Sequence, residues 1–195
     1  VSDIGLLTML AVRLRSRGTT EAITETVAEL DGGEPADLAD RVDRLLLAAV
    51  DDGRLRRRGD EGRHSLTPTG DAELSALLAA ELTGLDRADV MVAYEAFLPL
   101  NRRFLTACVD WQDGLIELEA FLELVGELVP VLDTLAAIRL RFAGYAPRLV
   151  RALSEATVDP TWIDAPSLDS VHTVWFELHE HLLASLGRAR TDERS

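Results

Sequence analysis

Aromatic residues divide this chain of 195 residues in two: residues 1–84 contain none, and all ten lie between Tyr94 and Phe176. A segment without rings must build its interior from Leu, Ile, Val and Ala, whereas rings can close a larger core. Two small domains are therefore expected, 1–84 and 85–187, meeting at Thr83-Gly84-Leu85. A charged tail, 188–195, is expected to be disordered.

Charge narrows the choice of function. The net charge is −14, and neither half is basic: ten arginines face sixteen acids in the first and eighteen in the second. That balance argues against a wholesale nucleic-acid or membrane-surface binder. The single cysteine, Cys108, excludes an internal disulfide framework and a four-cysteine zinc site. In the apolar opening from Ile4 to Val12 the arginines follow rather than precede, the wrong order for a secretory signal. No apolar run approaches the roughly 18 residues of a membrane span. A cytoplasmic protein without a membrane partner is expected.

Spacing in the first half predicts helix, helix, helix, hairpin, helix. Ile4, Leu7, Ala11 and Leu14 share one helical face before Gly18; Ile23, Val27 and Leu30 mark a second helix stopped at Gly32-Gly33. Pro35 suits the first turn of a third, whose apolar face is Leu38, Val42, Leu45, Leu46 and Ala49. Leu55-Arg56-Arg57-Arg58 and His64-Ser65-Leu66-Thr67 flank the turn Gly59-Asp60-Glu61-Gly62, which is a hairpin signal. Thr67 and Pro68 then open a fourth helix carrying Leu74, Leu77, Leu78 and Leu82.

The text from Asp52-Gly53-Arg54-Leu55 to Leu66-Thr67-Pro68-Thr69-Gly70 resembles the wing of MarR- and PadR-type winged helix-turn-helix regulators. The resemblance implies a DNA-binding unit whose third helix, 35–52, enters the major groove and whose wing, 54–67, touches the backbone or minor groove. Its candidate DNA-contacting residues are Arg41 and Arg44 on the helix and Arg54, Arg56, Arg57, Arg58 and Arg63 on the wing. Arg13, Arg15 and Arg17 could add phosphate contacts. Helical projection puts Asp40, Asp43, Arg44, Leu47 and Asp51 on the groove side, and six acids stand against two arginines between Glu34 and Asp52. Carboxylates facing phosphates oppose binding, so the expected DNA contact rests on the wing.

The second half is expected to be an all-α bundle. A helix from Asp86 to Gln112 carries Tyr94, Phe97, Phe104, Leu105, Cys108 and Trp111 on one stripe, with Pro99 kinking it and Asn101 within the stripe. Asn101 fits a register-setting or satisfied core amide, or the lining of a pocket. Leu115 to Phe142 continues the pattern with a break at Pro130. Pro147 opens a shorter helix, and Pro166 begins the last. There His172, Trp175, Phe176 and His179 share a face, with Asp169 one turn upstream. These residues, with Asn101-Arg102, Trp111-Gln112 and Phe142-Ala143-Gly144-Tyr145, resemble an uncharacterised actinobacterial group of candidate transcriptional regulators. That resemblance implies a shared helical domain and no binding residue.

Three chemistries compete for the histidines. A metal site could draw on Asp169, His172 and His179, a loose spacing for one ion. A small-molecule effector pocket could use Asn101, Trp111, Tyr145, His172, Trp175 and His179. Plain core packing is the third and the favoured one. No phosphate loop, nucleophile elbow or zinc-protease helix appears, so no enzyme, metal or cofactor is expected. The expectation is a mainly α, homodimeric DNA-binding regulator, ligand-responsive through its helical domain. The alternative is a protein-interaction module on a winged-helix scaffold without DNA binding.

Overall fold

The computed structural model describes residues 3–188, and the expected disordered tail lies, Arg188 apart, outside the described residues. The chain is mainly helical and divides into two compact units: residues 3–84 with 183–188, and residues 85–182. The first contains α1 (Ile4–Arg15), α2 (Thr20–Asp31), α3 (Pro35–Asp51), the antiparallel pair β1 (Leu55–Arg58) and β2 (Arg63–Leu66), and α4 (Pro68–Glu81). The second contains α5 (Gly84–Gln112, whose first residue falls in the first unit), α6 (Glu119–Ile138), α7 (Tyr145–Ala156) and α8 (Val171–Leu186, whose last four residues belong to the first unit). Two short 3-10 turns, Leu140–Phe142 and Pro160–Trp162, bracket α7.

Local signals start and stop the first unit's helices. Asp3 accepts from the Gly5 amide at 2.7 Å to cap α1, and Thr19 accepts from Ala22 at 3.3 Å to cap α2. Gly32, at φ 75°, ends α2 in the left-handed conformation that glycine adopts without a Cβ penalty. α1 is buried on nearly every side, from Ile4 to Leu14, and forms the axis around which the other helices pack. Val27, Val42, Leu46, Leu55, Leu74 and Leu78 close this aliphatic core, and Ala184, from the last turn of α8, joins it.

The hairpin is fastened to α4 by three residues. The hydroxyl of Thr67 accepts from the Gly70 amide at 3.1 Å, capping α4, and lies 2.8 Å from the Gly53 carbonyl and 3.0 Å from that of Arg54. The Thr67 amide donates to the same Arg54 carbonyl at 3.0 Å. Gly70 packs directly on that carbonyl, and a Cβ there would collide with it. The Leu-Thr-x-x-Gly text therefore has a mechanical meaning: a cap and a close backbone approach at one carbonyl.

In the second unit two expectations change. α6 runs through Pro130 without the expected break, as α5 runs through Pro99. Both prolines lie on the exposed side, where the carbonyls they strand can turn to water. The last helix starts at Val171 rather than Pro166, because Ser170 accepts from the Thr173 amide at 3.2 Å and sets its first turn. Likewise α6 starts at Glu119 rather than near Leu115, after a turn in which Gly114 has φ 70°.

The Arg54 junction yields a stability prediction. Gly70→Ala should destabilise the first unit by about 1–3 kcal/mol through overpacking, and Thr67→Ala by about 1–2 kcal/mol through loss of the cap. Thr67→Ser should retain most of the stability, as read by urea denaturation. A neutral Gly70→Ala variant would contradict the close packing on Arg54.

Candidate functional site

The register of the hairpin sorts its arginines by face. Leu55 pairs with Leu66, Arg56 with Ser65, Arg57 with His64 and Arg58 with Arg63. Side chains alternate along a strand and paired residues share a face. Leu55 and His64 are buried, so they and Arg57 belong to the inward face, while Arg56, Arg58, Arg63 and Ser65 face outward. The turn at residues 59–62 needs left-handed backbone at Gly59 and Gly62, and the guanidinium of Arg57 lies over Gly62.

Ion pairs divide the arginines further. Arg54 is held by Asp52 at 2.8 Å and Glu73 at 3.0 Å, which ties it to its own scaffold. Arg63 pairs with Glu61 at 2.6 Å and donates to the Arg17 carbonyl at 3.1 Å. Among the described residues Arg56, Arg57 and Arg58 are exposed and make no ion pair. Arg13 pairs with Asp71 at 2.6 Å and Arg15 donates to Thr26 at 2.6 Å, so both are engaged within the unit; Arg17 is exposed.

α3 buries Val42, Leu46 and Ala49 and turns Asp37, Asp40, Arg41, Asp43, Arg44 and Asp51 to solvent. Leu47 stands among them, 45% exposed. Arg44 folds back to donate to the Asp40 carbonyl at 3.2 Å. The outward face of α3 is thus net acidic, next in sequence to a hairpin whose outward face is basic.

Most of the aromatic residues of the second unit, with His179 and His181, are buried in its core, while His172 and Trp111 are half-buried and Phe176 is exposed. Asn101, 6% exposed, accepts from the indole N–H of Trp175 at 3.1 Å. Trp175 stacks on Phe104 at 4.2 Å between ring centres, and Phe97 lies 5.7 Å from Trp175 and 5.3 Å from His179. His172 lies 6.2 Å from Phe104, and half-buried Trp111 meets Phe121 edge-on at 5.7 Å. Tyr145 is not part of this group: it sits with His181. An open groove of about 420 Å³ in this unit lies away from these rings, between Arg102, Thr106 and Asp110 of α5 and Ala120, Glu123 and Leu124 of α6.

Sequence reasoning missed the polar groups that α8 takes into the core. α8 is buried almost all round, so polar residues on any of its faces must find partners. His181, fully buried, has one ring nitrogen 3.0 Å from the Tyr145 hydroxyl and accepts from Arg141 Nε at 3.0 Å. Burial first, and then the Arg141 charge, hold His181 well below the ordinary histidine value. Burial brings Arg141 down to about 10. Glu177, 4% exposed at its side chain, is met by Arg148 at 2.6 Å, and Asp169 is held by both Arg148 and Arg151. Nothing local marks these pairs, which span 18 to 40 residues of sequence. Cys108 is buried, which pushes its thiol up to about 12, outside the range of a reactive thiolate. Among the described residues no three or more His, Cys, Asp or Glu side chains converge as metal ligands do.

Asn101→Leu keeps volume but leaves the buried Trp175 N–H without its acceptor, and should cost about 1–3 kcal/mol in denaturant unfolding. An unchanged midpoint would show that this bond contributes nothing to the core. Comparison with protein-family models, with curated proteins and with solved structures finds no match to this chain.

Proposed function

We propose that the chain is a homodimeric transcriptional regulator whose first unit is a winged helix, with the hairpin as its wing and principal DNA contact. The observation that carries this reading is the outward hairpin face, where Arg56 and Arg58 are exposed without an ion pair and Arg63 stands beside them. Two arginines held at one strand spacing match the repeat of a phosphate backbone better than an unstructured basic run would. The order of three helices, hairpin and fourth helix supports the scaffold, as does the isolated antiparallel bridge between Gly18 and His64, which adds a third extended segment. On this reading α3 does not enter the major groove through its acidic face. Affinity comes from phosphate neutralisation by the wing, and sequence preference from groove shape.

The second copy is supported by α5. Opposite its buried residues Val90, Tyr94, Phe97 and Phe104, the helix exposes Leu85 and Val92, 82% and 65% exposed, in line with Ala88, Ala96 and Pro99. A helix apolar on two opposite sides has one face for its own core and one for a partner. Val92→Glu should convert a dimer to a monomer in light scattering, with the helical content unchanged; a variant that remains dimeric would remove this face from the assembly.

Duplex binding by the purified protein across a salt series should show a steep slope of affinity against salt. Arg56→Ala and Arg58→Ala should each weaken binding and reduce that slope by about one. Asp40→Asn with Asp43→Asn should leave binding unchanged or strengthen it. Absence of any salt-sensitive binding to promoter DNA from its own locus would overturn the reading.

A second reading draws on a different observation, exposed Leu47 ringed by Asp40, Asp43 and Asp51 on α3. On it, α3 is a docking face for a basic protein partner and the unit binds no DNA. A pull-down partner lost on Asp40→Arg with Asp43→Arg, together with duplex binding absent, would favour it over the first.

A further inference from the structure

His64 is the one histidine of the first unit, and it lies on the inward face of β2. Its residue is 2% exposed. The backbone N–H donates to the Gly18 carbonyl at 2.8 Å, forming the bridge that seats the hairpin on the segment leading into α2. Its ring Nε2 lies 3.4 Å from the Thr20 hydroxyl, and its Nδ1 is buried with no protein group in hydrogen-bonding reach. Across the strand stands Arg57. The remaining charge felt by the ring is that of Asp43 on α3, and the Arg17 carbonyl beside Gly18 is already taken by Arg63.

A neutral imidazole fits this site, since one nitrogen meets Thr20 and the other needs no donor or tolerates a bare lone pair. A proton taken from bulk water makes both nitrogens donors. One N–H is then buried without an acceptor, and a full positive charge sits beside Arg57. Opening the hairpin away from Gly18 and Thr20 hydrates both. We propose that His64 is a proton-sensitive latch, which in its neutral form seats the basic hairpin against Gly18 and Thr20 and in its protonated form releases it.

The direction of the pH dependence follows from the site. Burial, then Arg57, lowers the histidine below its ordinary value of 6.5, with Asp43 opposing. The seated hairpin therefore binds its proton less readily than the released one. Seating is fully favoured above 6.5 and is lost as the pH falls below that value. Protonation would add a charge to a hairpin that already carries Arg56, Arg57, Arg58 and Arg63, and would release it from its seat, so proton uptake regulates the surface that the first unit presents. The latch stands whether or not that surface meets DNA.

The test uses the full chain and needs no ligand. Histidine ring resonances and amide exchange of residues 54–67, corrected for the intrinsic pH dependence of exchange, are followed from pH 8 to pH 5. His64 should titrate below its free value, and hairpin protection should fall by about tenfold for each unit of that difference, while α1 amides keep theirs. His64→Gln, which keeps a polar side chain without a titrating ring, should abolish the pH dependence. Arg57→Ala, which leaves the imidazole and relieves its neighbour, should reduce it and serves if the glutamine variant folds poorly. Hairpin protection unchanged across the range, or an identical loss in His64→Gln, would overturn the latch.

Discussion

The carbonyl of Arg54 is where the first unit is held together. It accepts from the Thr67 amide, faces the Thr67 hydroxyl, and is covered by Gly70, while the Arg54 amide donates to Ala49 at the end of α3 at 2.8 Å. The backbone of one residue thereby ties the end of α3, the first strand and the start of α4. Because side chains alternate along a strand, fixing the backbone at Arg54 and Leu55 also decides which arginines look outward. A one-residue slip would bury Arg56 and expose Leu55. The basic outward face is thus a consequence of a packing constraint two residues away.

The second unit solves a different problem. Its central helix carries Glu177, His179 and His181 into a core that excludes water, and unpaired polar groups there are costly. Arg141 meets His181 and Arg148 meets Glu177, while His179 lies against the Phe97 ring; Tyr145 links the two arginine clusters through its hydroxyl to His181 and its ring beneath Arg148. Such networks specify one arrangement of helices, since any shift leaves several groups unsatisfied at once. The candidate pocket residues are divided between a ring cluster around Phe104 and a polar cluster around His181.

Much of the mainly helical architecture with one hairpin was legible because its signals are local. Gly32-Gly33, the Gly59–Gly62 turn and the Thr67-Pro68 cap each act within a few residues. Pro130 misled for the opposite reason: whether a proline breaks a helix depends on what its side of the helix faces, and this one faces solvent. At the candidate interface the number of arginines was legible and their availability was not. Arg54 is neutralised by Glu73, nineteen residues away, and the inward seat of His64 depends on Gly18 and Thr20, more than forty away. The acidic character of α3 needed only the helical period, and it is the feature that moves the expected DNA contact onto the hairpin.

The central claim is that the hairpin, and not α3, meets the duplex. Amide chemical-shift mapping of the full chain with promoter DNA from its own locus, at low salt, tests it most directly. The account predicts shifts concentrated on Arg56 to Arg58 and on Arg63 and Ser65, with Asp40 to Leu47 little changed. Shifts concentrated on α3 with a silent hairpin, or no shifts at all, would contradict it.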